Sequence, residues 1–338
     1  MVFRLEKKIF YFIILILVAL SLLGLIFYTS RSIYNQQLST LTTPVATSSV
    51  GANLSTKIRV GLIPVIDVFP FIVAEQEKLF EKEKLDIELI WFGSARDRDN
   101  AIITGRIDVA IHDPIGSLML ISNGVPIKII AFMCCEKSYE NNIGFYLIGR
   151  PGIDTKNLNI SSVAVSKNTI IEYVAWRMLE NLGIDPHKVN FVDIPSILNR
   201  YQLLIEGKIE YAVLPDPWGS LALTKNASLV SFHQDLVVLV AREDLLNNNM
   251  SRNQILKLLN VLNEAIDLYI KNPDKYREII AAKLMIPAEL RSSFMLKWNT
   301  HIKRLPESIF NDSLNWLREK NLVSQEITYQ KAVEDLLK

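Results

Sequence analysis

Two Asp-Pro steps, Asp113-Pro114 and Asp216-Pro217, are the first places where residue type and setting suggest chemistry. Each closes a run of apolar, strand-forming residues, and ligands of open α/β sheets sit beyond the carboxyl ends of the strands. An Asp before Pro also suits the cap of the helix that Pro begins, a role worth about 1 kcal/mol. Lining a cleft and capping a helix are compatible. Catalytic constellations are missing. The four histidines, His112, His187, His233 and His301, form no His-Glu-x-x-His motif, and the chain has no Gly-x-Ser-x-Gly and no Walker loop. His112 adjoins Asp113, but neighbouring strand residues point to opposite faces, so the two do not read as a general-base pair. The only cysteines, Cys134 and Cys135, are adjacent. They offer no zinc spacing and no disulfide framework, and read as small buried hydrophobes. No catalytic residue, metal or cofactor is expected, and the inventory points to binding.

The elements that must position these residues alternate from Lys57 onward. Strands are predicted at 58–63, 87–92, 108–112 and 127–133, with helices at 69–85, 95–105 and 114–123. The rhythm restarts after Arg150-Pro-Gly, with strands at 162–166, 189–194, 211–214, 229–232 and 236–240 and helices at 170–182 and 195–207. Continuous apolar strands in this order imply α/β sheets buried on both faces. After Asp244 the chain turns helical. Ile255, Leu258, Leu259, Leu262, Ala265, Ile266 and Tyr269 recur at helical spacing, and further helices are predicted near 273–284, 287–298, 306–317 and 324–337.

The middle of the chain holds a weak internal repeat. Ala101-Ile-Ile-Thr-Gly-Arg-Ile-Asp-Val-Ala-Ile-His-Asp-Pro matches Leu203-Leu-Ile-Glu-Gly-Lys-Ile-Glu-Tyr-Ala-Val-Leu-Pro-Asp-Pro with one insertion. Each copy ends a helix at Gly, runs through a strand and finishes at Asp-Pro. Two similar lobes are expected, with Asp113 and Asp216 facing one cleft.

The 338 residues, 49% of them hydrophobic, suffice for two lobes. The formal net charge of +1, from 37 basic and 36 acidic residues, argues against a nucleic-acid partner. The first 35 residues differ from the rest. Ile9 to Tyr28 is an uncharged apolar run of twenty residues, long enough as a helix to cross a bilayer core of about 30 Å. Arg4, Lys7 and Lys8 precede it, which predicts the N-terminus inside and the remainder outside. A cleaved signal peptide is the rival reading. The length of the run and the poor cleavage site after Tyr28 favour an uncleaved anchor in residues 1–35. Residues 36–56, rich in Ser and Thr, read as a tether. Asn-x-Ser sequons at Asn53, Asn159, Asn226, Asn249 and Asn311 permit a glycosylated outer surface.

Arg59-Val-Gly-Leu-Ile-Pro, Gly105-Arg-Ile-Asp-Val-Ala, Asn123-Gly-Val-Pro-Ile-Lys-Ile-Ile-Ala and Pro215-Asp-Pro-Trp resemble the nitrate/sulfonate/taurine and thiamine-precursor group of ABC-importer binding proteins. The resemblance covers roughly Lys57 to Arg242. It implies a two-lobed type II periplasmic-binding-protein fold behind the N-terminal transmembrane helix. Lobe 1 would comprise 57–149 and 235–338, and lobe 2 would be the inserted 150–234. It also implies ligand contacts at strand-end loops: Asp67 and Phe69 after the first strand, Ser94 after the second, then His112 and Asp113, and Glu136 beside the cysteines. In lobe 2 the matching positions are Ser166, Asn168, Thr169 and Glu172 at the start of the first helix, and Asp216 and Trp218 in the acid-Pro-aromatic stretch. The implied partners are a small-molecule solute and ABC permease subunits in the membrane, with the binding protein a monomer.

The acids in this set, with Phe69, Trp91 and Trp218, suit an amine, an aminopyrimidine or a polyhydroxyl solute better than a free inorganic anion. Arg96 and Arg98 are the nearby cations, and both are read as pointing outward from a helix. Other readings are a fungal-type thiamine-pyrimidine synthase of the same fold, of whose cysteine cluster Cys134-Cys135 is a thin echo, and a solute sensor that signals through a membrane partner. Under the importer reading, hinge closure buries the solute between opposing contacts from Asp113 and Asp216.

Overall fold

The structure is a computed structural model, and it describes residues 57–133, 144–154, 158–234, 236–292, 296, 298, 300–323 and 326–337. The expected anchor (1–35), the tether (36–56), and Cys134, Cys135 and Glu136 lie outside the described residues. Among the described residues no helix is long and apolar enough to cross a membrane.

Two five-stranded sheets form two lobes. The first has the order β2-β1-β3-β10-β4, built from β1 (Ile58–Leu62), β2 (Ile87–Trp91), β3 (Val109–His112), β4 (Ile127–Met133) and β10 (Val237–Arg242). The second has the order β7-β6-β8-β5-β9, built from β5 (Gly144–Gly149), β6 (Ser162–Val165), β7 (Asn190–Asp193), β8 (Tyr211–Pro215) and β9 (Ser228–Gln234). The two orders correspond position by position. In each sheet the first three strands are parallel, and the fourth place holds an antiparallel strand, β10 or β5, with a register shift where it meets the edge strand. The chain thus crosses between lobes twice, and each crossing delivers the antiparallel strand of the other sheet. Apolar strands such as β3, β5 and β8 are buried at every position, as sheets covered on both faces require.

The expected lobe boundary between residues 149 and 150 is shifted by this topology: β5 already belongs to the second sheet, so the crossing lies before Gly144. An antiparallel strand with no helix before it has no place in a βα rhythm, which is why β5 was not foreseen. The second crossing falls between Gln234 and Val237. The helix expected over 69–85 is broken at Lys78, whose φ of 55° is left-handed, leaving Phe69–Gln76 and Leu79–Lys82. The helix carrying Ile255 to Tyr269 spans Asn249–Lys271 and buries the predicted apolar face. The last long helix, Glu307–Glu319, packs on the lobe 1 helix Pro114–Ser122, and its Asp312 pairs with Arg177 of the lobe 2 helix Ile170–Asn181.

Candidate functional site

The internal repeat begins earlier than its two Gly-to-Asp-Pro segments, at the caps of the helices that precede them. Ser94 caps the helix Ala95–Ile103, its hydroxyl accepting from Asp97 N at 3.2 Å. Ser196 caps the helix Ile197–Ile205 in the same way, accepting from Asn199 N at 3.3 Å. Four residues after each cap stands an arginine, Arg98 or Arg200. Arg98 Nη1 donates to Ile111 O at 2.9 Å and Arg200 Nε donates to Val213 O at 3.1 Å, each carbonyl lying on the strand that follows the helix. Both side chains are buried, and both line a cleft of about 580 Å³ between the lobes, part of it open to solvent.

The two arginines differ in their neutralisation. Arg98 donates from Nε and Nη2 to Asp99 Oδ1 at 3.0 and 2.8 Å, and Asp113 Oδ2 lies 3.9 Å from Nη2. Burial opposes ionisation of Asp99, but the charge of Arg98 and the adjacent His112 hold its carboxyl well below the usual range. His112 Nε2 is 2.9 Å from the same oxygen, off the line of an aligned hydrogen bond. Arg200 is followed by Tyr201 instead of an acid. Its Nη1 donates to Ile194 O at 2.6 Å and Pro195 O at 3.3 Å, its Nη2 has no partner, and no carboxylate forms an ion pair with it among the described residues. Burial pushes its guanidinium down to about 10, partly offset by the charge of Asp193. It therefore remains a cation at neutral pH with two N–H groups unused.

Beside Arg200 the cleft receives the N-terminus of the helix Ile170–Asn181. Thr169 caps it, accepting from Ile171 N at 3.2 Å and donating to Ser166 O at 2.7 Å. Ser166, Thr169, Ile170 and Ile171 all reach the cleft. The positive end of a twelve-residue helix and a buried cation share one wall, an arrangement suited to an acidic group.

The cleft brings together Asp67, His112, Asp113, Ser166 and Thr169 of the predicted set. Asp113 also caps the helix Pro114–Ser122 through Gly116 N at 2.7 Å. His112 and Asp113 share the cleft because the strand ends at His112, so the alternation of faces stops there. The other predicted contacts lie off the cleft. Phe69 is core, packed on Tyr269 and Trp298 at ring distances of 4.8 and 5.1 Å. Ser94 is occupied as a cap. Asn168 has a φ of 58°, and its N–H donates to Glu172 Oε2 at 2.7 Å. Glu172 is further held by Lys320 Nζ at 2.9 Å. Asp216, expected opposite Asp113, turns inward instead, accepting from Tyr146 Oη at 3.0 Å and Ser220 Oγ at 2.5 Å. Burial pushes its carboxyl up to about 7, against the pull of those two hydroxyls. Trp218 is buried against Tyr201, and its indole donates to Pro64 O of the other lobe at 3.2 Å. Phe69, Trp91 and Trp218 are thus absent from the cleft lining, Trp91 and Trp218 taking the core positions that strand end and helix start also suit, and the aromatic lining rings among the described residues are Phe145 and His112. Sequence reasoning missed Arg200 altogether and placed Arg98 outward. The shared Ser-x-x-[Asp/Asn]-Arg spacing before each repeat copy was the available signal.

A family model described as "NMT1/THI5 like" matches residues 65–276. No curated protein matches the chain. Among solved structures, the alkanesulfonate-binding protein SsuA of Xanthomonas axonopodis pv. citri bound to MOPS is similar at 15% identity and a TM-score of 0.70, over 84% of this chain and 100% of that one. The periplasmic aliphatic sulphonate binding protein SsuA of Escherichia coli aligns at 16% identity and a TM-score of 0.68, over 82% and 92% of the two chains. A Candida albicans protein described as exhibiting the generic periplasmic binding protein structural fold aligns at 14% identity and a TM-score of 0.65, over 83% and 96%. At such identities the likeness establishes the fold, a two-lobed α/β periplasmic-binding-protein fold with mixed sheets.

Proposed function

Given that the chain belongs to the NMT1/THI5-like family, we propose that it is the extracytoplasmic solute-binding component of an ABC importer, and that it captures a small anionic solute between its lobes. The observation that carries the polarity is Arg200, a buried guanidinium in the cleft lining that forms no ion pair among the described residues and whose Nη2 has no hydrogen-bond partner there. An unpaired buried charge costs several kcal/mol, and an acidic group received from solvent offsets that cost. A guanidinium fork matches the paired oxygens of a sulfonate, carboxylate or phosphate. The neighbouring helix N-terminus adds to the same attraction. The amine and aminopyrimidine preference expected from the acids is revised accordingly. Asp216 and Glu172 are satisfied within the protein, and the stacking rings lie elsewhere.

The rest of the importer reading follows from the two-lobed fold. Solute contacts on both walls, Arg200 and Thr169 with the anionic group on one and the apolar Ile63, Val65 and Ile111 with its body on the other, give the closed form its differential affinity. The closed form then docks on permease subunits as a monomer, with the apolar run Ile9–Tyr28 holding the protein at the outer membrane face. A thermal-shift screen of the full-length chain in detergent tests the solute class. Alkanesulfonates and short carboxylates raise Tm, while amines, aminopyrimidines and sugars leave it unchanged. A ligand at a hundredfold over its Kd stabilises by about 2.7 kcal/mol. A shift from amines alone sinks the anion reading. Protease treatment of intact cells tests the location, since a protected binding domain contradicts an outer position.

A further inference from the structure

The repeat gives each lobe one buried arginine at an equivalent place, yet only one of the two has an acid beside it. Arg98 and Arg200 share cap, helix length, carbonyl acceptor and burial. They differ at the next position, Asp99 against Tyr201. Asp99 takes two donors of Arg98 on one oxygen and contacts His112 with the same atom. Asp113 Oδ2 lies 3.9 Å from the same Nη2 that Asp99 holds at 2.8 Å, so the lobe 1 wall carries two carboxylates beside one guanidinium. On the lobe 2 wall Arg200 forms no ion pair among the described residues, and the charge of Asp193 acts on it only from beyond ion-pair distance. Between the walls the lining is mostly apolar, including Ile63, Val65, Ile111, Ile171, Ile197 and Val237.

We propose that Asp99 sets the charge the cleft accepts: by cancelling Arg98 it makes the lobe 1 wall reject a second negative charge, so that the solute is a singly charged anion with an apolar body. This rests on the anion reading above. An anion seated on Arg200 extends its body through the apolar lining toward lobe 1. A terminal methyl there is neutral to Asp99 and Asp113. A terminal carboxylate meets like charge in a poorly solvated place, where repulsion is strong. Asp99 acts through Arg98 and is a positioning residue for charge, since Asp99 itself is absent from the cleft lining. The carboxylate is ionised at any pH of interest, because Arg98 and His112 hold it so.

Calorimetric titration of the full-length chain in detergent with matched anion pairs tests this. 1-Propanesulfonate against 3-sulfopropionate, and butanoate against succinate, each exchange a terminal methyl for a carboxylate. The expected result is at least tenfold tighter binding of the singly charged member by the native protein. In Asp99→Asn, which frees Arg98 to face the solute, that preference falls at least tenfold, and in Asp99→Glu it is retained. A loss of packing alone lowers both affinities and leaves their ratio unmoved. An unchanged ratio in a folded Asp99→Asn protein overturns the role of Asp99 and leaves the anion reading standing. Equal binding of both members by the native protein overturns the inference without any variant. Failure of the native protein to bind any anion across a series of chain lengths overturns the anion reading, and this inference with it.

Discussion

Arg200 and Asp216 are both buried charges-in-waiting, and they make opposite demands. Arg200 stays ionised and forms no ion pair among the described residues, while its donors hold three backbone carbonyls. Arg200→Lys keeps the charge but loses the planar fork that reaches Ile194 O, Val213 O and the cleft together. Solute affinity is expected to fall at least tenfold by calorimetry, and an affinity within twofold of native removes Arg200 from the site. Asp216 is the reverse case, an acid that the fold prefers neutral. Its folded value of about 7 exceeds its ordinary value of 3.8. The stability it contributes is full below pH 4 and is lost as pH rises to about 7, because the native state binds the extra proton in that window. Asp216→Asn mimics the neutral acid. Its melting temperature relative to native should therefore rise between pH 4 and pH 8, and a pH-independent difference contradicts the neutral assignment. Both residues stand in the sequence at positions of equal prominence. Asp216 was legible as a strand-end acid but not as an inward-turned one, since its partner Tyr146 lies 70 residues away on a strand that the βα rhythm did not contain.

At the scale of elements, capping and close packing fix where these side chains point. Helix starts were readable where Thr or Asp stood before an apolar run, and Asp113 and Thr169 cap as that pattern requires, whereas Ser94 caps a helix that opens on charged residues and Ser196 caps one expected to begin at Pro195. Helix ends and strands without a helix partner were less readable. Lys78 breaks a helix whose apolar spacing continues past it, and β5 has no local signature separating an antiparallel insertion from a loop. Thr169 joins the two levels. Thr169→Ala removes the cap of Ile170–Asn181, with an expected cost of about 1 kcal/mol in unfolding experiments. The helix packed behind the cleft is tighter still. A Cβ on Gly219 would lie 2.3 Å from Tyr146 Cδ2 and 2.9 Å from its Cβ, so the helix Trp218–Thr224 approaches β5 only because that position is glycine. Gly219→Ala is expected to destabilise by about 1–3 kcal/mol in denaturant titration and to move Tyr146 off Asp216. Full native stability in that variant contradicts this packing.

At the scale of the whole molecule, the lobes touch through a few polar links around the cleft. Trp218 Nε1 reaches Pro64 O, Ile66 N reaches Asp216 O at 3.3 Å, and Arg96 Nη2 pairs with Asp193 at 3.1 Å. Asp193 also accepts from Lys167 N at 2.9 Å, next to the Ser166–Thr169 turn at the cleft. The Arg96–Asp193 pair is half exposed and contributes little to static stability. Because it spans the two lobes, Arg96→Gln is expected to speed solute release several-fold in stopped-flow measurements while leaving Tm within about 1 °C. Release unchanged by the substitution assigns closure to the other links. The exchange of antiparallel strands has a separate consequence for how the chain is made. β10 is the piece that joins β4 to β3, and it is synthesised after the whole of lobe 2. Until it arrives, lobe 1 is a sheet with an open slot through its middle, two unpaired strand edges facing one gap. A nascent chain with lobe 2 complete still offers that slot to any extended segment, so the moment of greatest exposure to misassembly falls two-thirds of the way through synthesis.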